Sequence, residues 1–205
     1  MSHAYPLTFD VAYPDRPLNR LTSALRLFMA IPILAVLTAI GGITVASGDT
    51  KTVVASGSAL LVIPPLLMIV FRGRYPRWWY DFNVEMLRFQ NRVGVYLALM
   101  DDRYPSTDER QSVRLDLPYP DATRLKRWPP LVKWLLAIPH YVVLFFLYVG
   151  AVLAIIAAWF AILVTGRFPR GIFDYLVGVG RWTNRVTAYA FIMLTDAYPP
   201  FRLGP

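Results

Sequence analysis

The sequence predicts a mainly α-helical integral membrane protein, a tandem repeat of helical hairpins. Its plan is four transmembrane helices, two interfacial amphipathic helices and short cytoplasmic β-strands. Three observations lead there. The 205-residue chain is 56% hydrophobic and only 17% charged, against about 45–50% apolar and about 25% charged in soluble domains. Apolar runs long enough to cross a bilayer recur along it. And one phrase is written twice, RGRYPRWWYDF from Arg72 and TGRFPRGIFDY from Thr165, each time where an apolar run stops.

The repetition extends along the chain. FDVAYPD (Phe9–Asp15) recurs as LDLPYPD (Leu115–Asp121), and RLFMAIP from Arg26 as KWLLAIP from Lys133. RFQNRVGVY from Arg88 matches RWTNRVTAY from Arg181, and DRYP from Asp102 matches DAYP from Asp196. The order never changes. The chain therefore divides into a first repeat, 1–105, and a second, 106–205, each with a strand, two transmembrane helices and an amphipathic helix.

Each element has its own signal. Leu7, Phe9 and Val11 alternate with Thr8 and Asp10, as Val113, Leu115 and Leu117 do with Arg114 and Asp116; period two indicates a strand. Tyr-Pro-Asp then turns the chain. A spanning helix needs about 20 apolar residues, which Leu21–Ile40 and Val53–Phe71 supply. Leu131–Thr165 is continuous and is expected to fold as a hairpin turning at Val149-Gly150. Pro32 and Pro139 are expected to kink the first helix of each repeat, and Ile63–Pro65 breaks the second helix of the first.

Charge placement sets the orientation. The net charge is +8, and with a hairpin in each repeat Lys51 alone of the 21 basic residues lies outside, as the positive-inside rule requires. N- and C-termini are then cytoplasmic, in a multi-pass membrane protein. Confinement of the charge to one face argues against nucleic-acid binding. The 12 Tyr, 12 Phe and 6 Trp suit a bilayer interface. Arg26 and Lys133, about two turns inside their helices, are expected to snorkel to the headgroups.

The repeated phrase is expected to mark the cytoplasmic exit of the second helix of each repeat: Gly73, Arg74, Pro76 and Arg77, then Gly166, Arg167, Pro169 and Arg170. Gly lets the helix end, Pro prevents its continuation and the arginines hold the anionic leaflet. The segment after it carries Asp81, Glu85, Arg88 and Arg92 on one stripe of an amphipathic helix, and the repeated polar sets are Asp81, Arg88, Asn91 and Arg92, then Asp174, Arg181, Asn184 and Arg185. These sets are either two sites for lipid headgroups, with bidentate arginines, or structural networks tying each helix to its own loop and strand. Residues Pro200–Leu203 could add a third strand to a small cytoplasmic sheet. His140 reads as a packed histidine rather than a proton relay, for want of an acidic partner.

The marks YPD before AIP, GR(F/Y)PR, the paired NRV segments and the terminal Asp-Xaa-Tyr-Pro resemble a bacterial integral membrane family, domain of unknown function number four-three-eight-nine, in two tandem copies. The second copy is similar over Val113–Leu203; the first departs after GRYPR, with WWYDF for GIFDY and Glu85 for Gly178. The resemblance implies no activity, substrate or catalytic residue. With no cysteines and no nucleotide, hydrolase or metal motif, no cofactor and no enzymatic activity are expected. The expected function is an accessory or scaffold module of the membrane, engaging anionic lipid or a membrane protein partner on the cytoplasmic face. The alternative is a lipid or small-solute transporter with a path between the repeats.

Overall fold

The computed structural model describes residues 5–41, 67–68, 76–106, 109, 111–119 and 132–205, and for 38–41 the backbone alone. Among the described residues are strands β1 (Thr8–Val11) and β2 (Val113–Asp116) and seven helices. These are α1 (Arg20–Ala24), α2 (Arg26–Met29), α3 (Ile31–Gly41), α4 (Arg77–Leu97), α5 (Lys133–Leu136), α6 (Ile138–Thr165) and α7 (Arg170–Ala190).

The strands occupy the two alternating segments, with Phe9, Val11 and Leu115 turned inward. They pair with each other, antiparallel, Phe9 opposite Leu115 and Val11 opposite Val113. One strand from each half thus makes a single two-stranded ribbon. Its inner face lies on α4 and α7, and the close fit depends on Gly180, where a Cβ would come within 2.7 Å of the Phe9 ring. A second packing layer sets α4 against α3 through Phe89, Val93, Ala30 and Ile33. Similarly, α7 packs against α5 and α6 through Trp182, Val186, Ala137 and Leu144.

The chain does not adopt the four-span architecture. One described helix, α6, is long and apolar enough to cross a membrane. Leu21–Ile40, expected as one span, is divided into α1, α2 and α3, with breaks at Leu25 and Ala30. Pro32 stands second in α3, where its missing N–H leaves no helical hydrogen bond unmade. In the other half there is no hairpin at Val149-Gly150: α6 runs through both residues for 28. Pro139 lies in its first turn and starts the helix instead of kinking it.

Gly150 serves packing rather than a turn. A Cβ there would lie 2.7 Å from the Tyr175 hydroxyl, which donates to Leu147 O at 2.8 Å. Val53–Phe71 lies outside the described residues except for 67–68, and so do Lys51 and Ile63–Pro65. Pro200–Leu203 is irregular rather than a strand.

Two physical effects separate expectation from structure. Apolar length alone does not distinguish a helix bathed in lipid from one backed by protein, and one side of α6 is backed by α7 and α1. The polar stripes of α4 and α7 also find partners inside the protein. Both helices therefore turn part of these stripes toward the protein, with Asn83, Arg92, Asn184 and Arg185 buried.

Candidate functional site

The stripes expected on the amphipathic helices meet at the centre. Asn91 on α4 and Asn184 on α7 exchange amide hydrogen bonds, 2.8 Å in each direction. A second amide hydrogen of each returns to its own helix, at Leu87 O and Gly180 O. Such a pair satisfies buried amide groups that would otherwise cost stability.

From there Arg88 and Arg181 each reach the strand of the opposite half. Arg88 donates through Nε to Leu115 O at 3.0 Å, and Arg181 through Nε to Phe9 O at 2.9 Å. Arg181 also pairs with Asp10 at 2.8 Å, and Arg88 with Glu85 at 2.5 Å and Asp116 at 3.6 Å. Arg92 donates to Ser106 O, and Arg185 to Arg202 O and Gly204 O. Burial, with Arg202 close by, pushes the Arg185 guanidinium below its ordinary value. Asp81 and Asp174 are exposed and stand apart from this network.

The repeated phrase has a similar internal use. Gly73 and Arg74 lie outside the described residues. Gly166 ends α6 in the left-handed conformation, φ 73°, which favours glycine. Pro76 and Pro169 are the extended residues that open α4 and α7. The arginine after each proline stacks on the tyrosine of the opposite half's Tyr-Pro-Asp: Arg77 over Tyr119 at 6.0 Å, Arg170 over Tyr13 at 4.2 Å. Arg167 is exposed. The twofold appearance of phrase and turn thus corresponds to a crossed pair of cation–π contacts.

Two cations outside the stripes are almost wholly buried. Arg26 and Lys133, expected at the headgroups, are 2% and 1% exposed. Lys133 Nζ donates to Thr195 O at 2.7 Å, pairs with Asp196 at 2.6 Å and lies 5.3 Å from the Tyr189 ring. Burial lowers its pKa and Asp196 opposes that shift. Arg26 lies 4.3 Å over the Tyr96 ring and donates through Nη1 to Tyr96 O, at 2.8 Å, and to Asp101 O. Burial is likewise the main cause lowering its pKa. His140 is wholly buried; its Nδ1 accepts from Trp182 Nε1 at 3.0 Å and its ring stacks on Phe201 at 4.0 Å.

Outside this polar centre, large apolar side chains are exposed on several helices. Helix α6 turns His140, Leu144, Ala151, Ala158 and Ile162 inward. It leaves Phe145, Phe146, Leu153, Phe160 and Val164 more than half exposed. Leu27, Phe28 and Ile31 do the same on α2 and α3. Among the described residues no cluster of three or more His, Asp or Glu could hold a metal ion.

Residues 127–202 match a family model described as Domain of unknown function (DUF4389). The matched region covers α5, α6, α7 and the tail that supplies Asp196. No curated protein and no solved structure matches the chain. Sequence reasoning did not single out Ser23 and Trp159, whose contact (Trp159 Nε1 to Ser23 O, 3.2 Å) joins α1 to α6. Neither lies in the repeated marks, so repetition carried no signal for them.

Proposed function

We propose that this chain is a non-enzymatic module of the bacterial inner membrane, seated on the cytoplasmic leaflet by one apolar face, with both termini cytoplasmic. In this reading 1–105 and 106–205 are two lobes of one scaffold. The observation that carries it is the outer side of α6: 28 residues without a charge, with only 17% of the most apolar stretch buried. So large an exposed apolar patch marks a membrane or partner surface.

The opposite side argues for lying on the bilayer instead of crossing it. β1 approaches the middle of α6, since Phe9 and Val11 share a small cavity with Ala151 and Ile155. A two-stranded ribbon has open edges that hydrocarbon cannot satisfy, and the ribbon carries exposed Asp10 and Asp116. With water over the ribbon, α6 lies along the interface, as an anchoring helix does. Its basic flanks then face the same leaflet, where each Lys or Arg is attracted by about 1 kcal/mol.

The test combines fractionation with labelling of the full chain in cells. The wild type should sediment with membranes. The double variant Phe146→Arg, Leu153→Arg should be released, since each change removes an apolar side chain whose burial contributes about 1.5–3 kcal/mol. Single cysteines replacing Trp134 and Thr165, at the two ends of the α5–α6 run, should both be shielded from an impermeant reagent outside the cell. Outside labelling of one of them would show that α6 crosses, and a soluble wild type would end the membrane reading altogether.

A further inference from the structure

Between α1–α2 and α6 lies an apolar cleft of about 510 Å³, within the size range of small-molecule sites. Ala24, Leu27, Val152, Ile156, Trp159 and Phe160 form its walls. Leu27, Val152, Ile156 and Phe160 also belong to the exposed apolar surface, so the cleft opens on the face assigned to the bilayer. Two polar residues line it, Ser23 and Arg26.

Neither is satisfied. Ser23 Oγ and the Nε and Nη2 nitrogens of Arg26 are buried without a hydrogen-bond partner. Nε and Nη2 form one edge of the guanidinium, the fork that accepts a planar carboxylate in two parallel hydrogen bonds. Nη1 is already used by Tyr96 O and Asp101 O. The nearby carboxylates are engaged elsewhere, Asp102 by Arg16 and Asp101 by Arg103 at 3.1 Å. A buried guanidinium with a free edge is costly unless an anion completes it.

We propose that this cleft binds a long-chain fatty carboxylate, its chain along Trp159 and Phe160 and its carboxylate on the Nε–Nη2 edge of Arg26, which is covered in the free chain and is uncovered by a side-chain shift at the cleft floor, with Ser23 Oγ as a further donor. Charge complementarity selects an anion, and the apolar walls select one carrying a chain. The site depends on the membrane reading only for the supply of its ligand. Binding measured in neutral detergent therefore fails or succeeds independently of fractionation.

The experiment uses the purified full chain in a non-ionic detergent at alkaline pH, with oleate and oleyl alcohol as probes. Oleate should bind saturably at one per chain and at least tenfold more tightly than the alcohol. Arg26→Gln should remove that preference while the alcohol still binds. Ala24→Trp, which fills the cleft and leaves Arg26 in place, should abolish both, and it keeps the test decisive if Arg26→Gln does not fold. Equal affinity for acid and alcohol in the wild type would overturn the proposal, as would unchanged oleate binding in Ala24→Trp. Displacement of oleate by phosphatidylglycerol, added in the same detergent, at equal concentration would overturn the carboxylate assignment in favour of bilayer phosphate.

Discussion

Lys133 and Arg26 begin matching phrases, KWLLAIP and RLFMAIP. Each lies near the ring of a tyrosine at the end of an amphipathic helix, Tyr189 or Tyr96. Each donates to a carbonyl in the following loop, Thr195 O or Asp101 O. The difference lies in the carboxylate. Asp196 turns inward to Lys133, whereas Asp102, at the matching position, is held by Arg16. One cation is complete within the chain and the other is not. Similar scaffolds can thus complete an ion pair in one place and leave a guanidinium edge without a hydrogen-bond partner in another, through the diversion of a single side chain.

The comparison breaks most sharply at the complete site. Asp196→Asn leaves Lys133 buried beside a neutral amide. Removing one partner of a buried pair costs about 3–5 kcal/mol, and the 29% exposure of Asp196 places the loss near the lower end. Adding Lys133→Met should recover most of it, because an apolar chain of similar length needs no counter-charge. Urea unfolding of the single and double variants in detergent measures both. Equal losses in single and double variants would show that the ion pair does not determine stability there.

A second prediction concerns Asp101, whose backbone oxygen serves Arg26 while its carboxylate is engaged by Arg103. Burial alone would raise its pKa, but hydrogen bonds from Ser112 and Arg103 outweigh burial and hold it below the usual carboxylate range. A carboxyl depressed on folding stabilises the protein above its unfolded pKa, and that stabilisation is lost as pH falls through the folded value. The wild type should therefore lose stability on acidification below the ordinary carboxylate range. Asp101→Asn should be less stable at neutral pH, by about 1–3 kcal/mol for a broken buried hydrogen-bond set, with a flatter acid limb. Parallel acid limbs in the two proteins would exclude Asp101 as a source of the pH dependence.

The sequence made the parts legible more readily than their arrangement. Alternation located β1 and β2, and the repeated Asn-Arg-Val segments located Asn91, Asn184, Arg88 and Arg181. What repetition could not show was exchange between halves. Arg181 serving Phe9, and Arg170 stacking on Tyr13, are long-range contacts with no local pattern. Glu85 against Gly178 was visible as a difference without a reason. The reason is packing: a Cβ at 178 would come within 2.9 Å of Leu203, while Glu85 is exposed. The span count failed because hydropathy measures greasiness and not which side of a helix meets protein. Arg26 and Lys133 were visible as charges in apolar runs, but only the fold shows that Tyr96 and Tyr189 enclose them.

The smallest expected effect sharpens the comparison most. Arg16 is 56% exposed on its side chain, and exposed pairs contribute about 0–1 kcal/mol. Arg16→Ala should therefore change stability little. It should nevertheless release Asp102, whose charge already acts on Arg26, to move toward the free guanidinium edge as Asp196 does toward Lys133. An internal carboxylate there competes with an external one. Oleate affinity should drop in Arg16→Ala while affinity for oleyl alcohol stays constant, and Arg16→Ala with Asp102→Asn should restore the wild-type preference. Loss of oleate binding that the second substitution does not reverse would mean Arg16 supports the cleft by some other route. Restoration would show that this one surface arginine keeps the first site open while the second stays closed.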